Sequence, residues 1–148
     1  MVMSTFILTA LPTGEVDTHA PIAIRRRADE PSPCRRCLRN AEPGDDLILA
    51  PYDPFTLRSP YTGEGPVFVH AHGCERFDPA PGAVSEQVRG RMLSVRAYDG
   101  DAMMTDATVL DGSGFREHVE ASLRDTDVAF LHVHFAGPGC FAFRVDRA

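Results

Sequence analysis

The 148-residue chain contains no lysine: all 15 of its basic residues are arginine. That absence excludes a lysine nucleophile, a Schiff-base lysine and the lysine of a phosphate-binding P-loop. No apolar run approaches the ~18 residues of a membrane-spanning helix, so no span is expected. Four common signatures are missing as well. There is no G-x-S-x-G elbow, no G-x-G-x-x-G after a strand, no Walker loop and no H-E-x-x-H helix. Positive charge is not in excess either. A net charge of −6 argues against an indiscriminate nucleic-acid binder, and no nucleic-acid partner is expected. Residues 1–14 are apolar but lack a basic leading region and a small-residue cleavage site. They read as a strand rather than a signal peptide. Cytoplasmic residence is the resulting expectation, with Cys34, Cys37, Cys74 and Cys140 as reduced thiols.

What is present is an ordinary globular composition, 43% hydrophobic and 24% charged. A chain of this length is one domain, 1–148, and can build a core without disulfides. Its clearest pattern is residues 128–145, VAFLHVHFAGPGCFAFRV. Apolar and polar residues alternate in two arms about Gly137-Pro138-Gly139, which predicts a hairpin. Pairing Ala136 with Cys140 puts Val133, Phe135, Phe141, Phe143 and Val145 on one face. His132, His134, Cys140 and Arg144 then share the other, with His132 opposite Arg144.

Residues 91–98 and 103–110 predict a second hairpin with a loop at 100–102, and Arg96 then faces Asp106. Between the hairpins, Phe115, Val119 and Leu123 form one stripe on a helix over residues 114–124, with Ser113 as its N-cap. Packed on one sheet face, that stripe should cover Leu93, Val95, Val109, Val133 and Phe135. In the first half, strands are expected over 3–11, 20–27, 46–52 and 66–72, with Ile22 and Ile24 on one face of the second. Residues 28–45 and 53–65 read as irregular connections. The expected fold class is α+β: a curved, mostly antiparallel sheet with one main helix packed on one face.

The segments RMLSVRAYDGDAMMTDATVLDG and VAFLHVHFAGPGCFAFRVDR resemble the uncharacterised bacterial family called domain of unknown function 1203. PCRRCLRNAEPGDDLILAPY and SPYTGEGPVFVH resemble it more loosely, so the likeness runs over residues 33–147. The resemblance implies a compact bacterial protein of about this length and assigns no activity. The segments with Arg96, Asp106, His132, His134 and Cys140 belong to the family pattern.

Two constellations could carry chemistry. On the polar face, His132 and His134 stand two apart on a strand, with Cβ atoms about 7 Å apart. With Arg96, Asp106, Cys140 and Arg144 they could bind a small anionic ligand or substrate, His carrying protons and Arg clamping the anion. The same residues could instead form a hydrogen-bonded layer of a structural or interaction domain, or the interface of a homodimer. The second constellation is Cys34-x-x-Cys37 with His70-x-His72-x-Cys74, from which four zinc ligands could be drawn. No cofactor is expected unless these five residues hold zinc; the plainer reading leaves them as reduced thiols and partly buried histidines. The arginines at 25–27, 35, 36 and 39 are offset by nearby acids and read as a solvated or partner-facing surface.

Overall fold

The computed structural model describes residues 6–148. It is an α+β fold with mostly antiparallel pairing and one α-helix. Where one curved sheet was expected, there are two main sheets and a small hairpin, none strongly curled. The larger sheet is built from β1 (Phe6–Thr9), β7 (Met92–Tyr98), β8 (Met104–Asp111), β9 (Phe130–Phe135) and β10 (Phe141–Arg147) in the order β1-β10-β9-β7-β8. The smaller sheet is β2 (Ile24–Arg27), β5 (Asp46–Tyr52) and β6 (Gly65–His70) in the order β2-β5-β6. Between them lies the hairpin of β3 (Ser32–Pro33) and β4 (Asn40–Ala41). Of the strand expected over 3–11, residues 3–5 lie outside the described residues. Strand β2 is exposed at every position, and Ile22 and Ile24 are 74% and 47% exposed, so neither joins a buried face.

The helix, α1 (Phe115–Arg124), buries Phe115, Val119 and Leu123, as their i, i+4, i+8 spacing requires. They join Leu93, Val95, Val133, Phe135 and Val145 in the main core. Ser113 is not its cap. Gly114 stands at that position without a side-chain bond, while Asp111 caps the 3-10 turn ahead of it. Val109 is 61% exposed; Leu110, opposite Leu93, is the β8 residue that packs on the core.

Both hairpins contain a bulge, and each bulge re-aims side chains. In the β7–β8 hairpin, Asp99 N–H donates to Met103 O at 2.9 Å around the expected loop, with Ala102 at φ 58°. Tyr98 then pairs with Met104 but Ala97 pairs with Asp106, so Thr105 is an extra residue. Arg96 therefore stands opposite Ala107, not Asp106. A one-residue slip turns Asp106 to the opposite face. Because β8 is an edge strand, the carboxylate stays in water and avoids the burial cost that a core position would impose.

In the β9–β10 hairpin, Phe135 N–H donates to Cys140 O at 3.0 Å, so the loop is 136–139 rather than 137–139. A bulge between Phe141 and Phe143 restores the register, and Arg144 meets His132 as expected. The bulge sends Ala142 into the main core and swings Phe141 onto the histidine face. There Phe141 joins Tyr52, Val67 and Val69 of the smaller sheet, forming the second core that ties the two sheets together.

Gly112 shows how tightly the 3-10 turn is seated. A Cβ there would lie 1.7 Å from Val88 O. Since the obstacle is backbone, Gly112→Ala should cost more than about 3 kcal/mol in a urea melt.

Candidate functional site

Four of the five zinc-candidate residues converge. The ligand atoms of Cys34, Cys37, His70 and Cys74 all lie within 4.8 Å of one another. Local backbone explains the first pair. Cys34 N–H donates to Arg39 O and Leu38 N–H donates to Cys34 O, closing a knuckle between β3 and β4 with Leu38 at φ 55°. Both sulfurs therefore point off one side of a tight turn. The knuckle docks on the smaller sheet through a bridge between Cys34 and Phe68. That places it beside His70 at the end of β6, and a turn with Gly73 at φ 84° returns Cys74 to the same spot.

Cys34 Sγ lies 3.7 Å from Cys74 Sγ, and Cys37 Sγ lies 3.7 Å from His70 Nδ1. Sulfurs about 2.3 Å from a tetrahedral zinc stand about 3.8 Å apart, so the spacing suits that ion. The far nitrogen of His70, Nε2, faces Asp45 Oδ2 at 3.7 Å, the carboxylate–histidine arrangement that orients a metal-bound imidazole. Arg36 Nη1 donates toward Cys74 Sγ at 3.7 Å, placing a positive charge beside the thiols. A hydrogen bond from Cys37 brings the Cys34 thiol down to about 4 against its burial, while that same bond pushes Cys37 up. His72 is outside the cluster. Its side chain is 72% exposed and reaches Asp46 at 3.0 Å.

The polar-face residues meet a different fate. His132 is 0% exposed, enclosed by the rings of Phe55, Tyr98, Phe130 and Phe141 at centroid distances of 4.6–5.3 Å. Neither of its ring nitrogens has a hydrogen-bond partner. Burial first, then His134, Arg144 and Arg96, lowers its pKa to about 3, so the ring is neutral. His134 is half-buried, and its Nδ1 donates to Gly139 O at 3.0 Å. Burial again lowers its pKa, to about 4. Arg96 Nε donates to Ser94 Oγ, and its guanidinium has no carboxylate within 4.0 Å among the described residues. Arg144 lies over Phe130 and is held bidentately by Asp146, so its charge is spent within the fold. Asp106 is off this face altogether.

Cys140 is claimed by Arg35, which sequence patterning had assigned to the surface. Arg35 is 1% exposed and donates from Nε to Phe141 O at 2.7 Å, from Nη1 to Pro33 O at 2.6 Å and from Nη2 to Cys140 Sγ at 2.7 Å. No local signal separates it from Arg36; only its place inside the CxxC knuckle could have suggested a fixed orientation. Phe55 and Tyr61 were likewise missed. They lie in the 53–65 connection, which folds over the histidine face and packs both rings on Tyr98.

Residues 31–147 match the model of a family described as a protein of unknown function (DUF1203). No curated protein and no solved structure matches the chain.

The enclosed His132 predicts acid sensitivity with a definite sign. Its folded pKa lies below the unfolded value near 6.5, so its contribution to stability is complete above that value. The contribution is lost as pH falls from about 6.5 towards 3, at up to about 1.4 kcal/mol per pH unit. His132→Phe should reduce this slope, leaving the smaller part that His134 contributes through its own lowered pKa. It should also leave stability at pH 7 unchanged or raised by about 1–3 kcal/mol, since two orphaned nitrogens disappear. Urea melts of both proteins between pH 4 and pH 8 would check it; a destabilised variant with the slope intact would refute it.

Proposed function

We propose that this chain, which belongs to the DUF1203 family of proteins of unknown function, is a zinc protein whose metal centre is structural. Cys34, Cys37, His70 and Cys74 would each supply one ligand, a complete tetrahedral set with no position left for water or substrate. The observation that carries this reading is the convergence of four donor atoms within 4.8 Å from segments up to 40 residues apart, at spacings that suit zinc. Three buried or half-buried thiols beside an oriented imidazole also match the soft donor set that zinc selects.

The role of the ion follows from what the ligands tether. It would join the β3–β4 knuckle, the end of β6 and the segment entering residues 75–84. Cys34 is itself part of the second core, so the metal would reinforce the contact between the sheets. With three thiolates and a neutral His70, a bound zinc would leave one net negative charge, which the Arg36 guanidinium offsets.

Elemental analysis of the purified protein should give about one zinc per chain. Cys74→Ser should reduce it to below about 0.2, and His72→Ala should leave it unchanged. Removing the ion with a strong chelator should lower Tm by at least about 10 °C. A wild-type protein with below about 0.2 zinc, expressed with zinc in the medium, would refute the reading.

A further inference from the structure

Residues 53–65 and the larger sheet line an open cleft of about 310 Å³, with Phe141 in its wall. This is at the small end of the ~300–1,000 Å³ usual for ligand pockets. Arg96, Tyr61, His134 and an exposed Glu64 that makes no ion pair with Arg96 are in its polar lining, and Phe55, Met104 and Phe141 supply apolar walls. Two features mark it as more than a gap in packing. First, the guanidinium of Arg96 faces a concave site without a carboxylate partner among the described residues. Such a group is a ready anion clamp, because its planar fork offers two parallel N–H donors. Second, the His134 tautomer is set by its surroundings. Nδ1 donates to Gly139 O, so Nε2 of the neutral ring is an acceptor. A bare anion could not satisfy it; a ligand hydroxyl could.

We infer that this cleft binds a small carboxylate that carries a hydroxyl on the adjacent carbon and an apolar or aromatic group. The carboxylate lies on Arg96 and the hydroxyl donates to His134 Nε2. The apolar part lies between Phe55 and Phe141. The register supports the spacing. Arg96 pairs with His132 and Ser94 with His134, so Arg96 and His134 are diagonal neighbours across β7 and β9. Their Cβ atoms are then separated by about 7 Å, enough for a carboxylate and its neighbouring hydroxyl to lie between the two side chains. The orphaned His132 lies directly behind, with Phe55 at 4.6 Å as its cover. The 53–65 segment is held over it by Thr56, which accepts from Arg144 Nη1 at 3.2 Å, and by the Tyr61–Tyr98 contact. This site shares no residue with the cysteine cluster, so the two proposals stand or fall separately.

Mandelate and phenylacetate differ only by the hydroxyl and make the test direct. Titrated into the full-length protein and followed by amide and side-chain NMR, mandelate should bind saturably with a Kd of about a millimolar or better. Its shifts should centre on Arg96, His134 and Tyr61. Phenylacetate should bind at least tenfold more weakly, because it leaves His134 Nε2 without a donor. Arg96→Gln should weaken mandelate at least tenfold with zinc content and Tm unchanged. Should that variant be unstable, His134→Phe provides the second arm: it should abolish the preference between the two acids. Equal affinities for the two acids in the wild type, no saturable shift, or a preference that persists in His134→Phe overturns the proposal.

Discussion

A single buried cation holds the two sheets of this protein in register with one another. Arg35 projects from the cysteine knuckle of the N-terminal half and ends against the β9–β10 turn of the C-terminal half, with its guanidinium over Phe135. A guanidinium removed from water costs several kcal/mol unless its donors are satisfied. Here two backbone carbonyls and the Cys140 sulfur accept from it. Those acceptors are available only when the hairpin turns at 136–139 and the knuckle docks on β6. Each half therefore supplies what the other half's polar groups need, and neither can move without stranding a buried charge. The zinc reading fits this arrangement, since Cys34 and Cys37 flank Arg35 and a metal there would fix its direction.

The histidine face depends on a second constraint, the conflict between burial and polarity. His132 occupies an aromatic enclosure that a phenylalanine would fill without orphaned nitrogens. Proteins retain such groups where function opposes stability. The neighbouring cleft gives that cost a setting, because the ring lies behind Arg96 and His134 and under a segment with no regular secondary structure. The same low-dielectric surroundings hold both histidines neutral, which makes His134 an acceptor rather than a second cation.

Patterns with a short period were legible in the sequence. Alternation located β6, β7, β9 and β10, a short apolar run located β5, and the 115-119-123 stripe located the helix and the face it buries, because these follow from backbone geometry within a few residues. The loop at 100–102 and the pairing of His132 with Arg144 were legible for the same reason. The CxxC spacing marked half of the Cys34, Cys37, His70 and Cys74 cluster. The bulges at Thr105 and Ala142 were not legible. Each inserts one residue for the sake of contacts far away in the chain, and nothing local distinguishes Thr105 from an ordinary strand residue. Those two insertions decide that Asp106 leaves the polar face and that Phe141 joins it.

By itself, then, the sequence determined the elements, the apolar faces and the residue types able to do chemistry, since each depends on neighbours within one or two turns of chain. Tertiary structure alone decided which of those residues meet. It gathered Cys34, Cys37, His70 and Cys74 while leaving His72 in solvent, and buried Arg35 while its neighbour Arg36 stayed near the surface. It also laid residues 53–65 over His132. These outcomes depend on docking a knuckle against a strand and one sheet against another, where the desolvation of a few side chains outweighs any local preference.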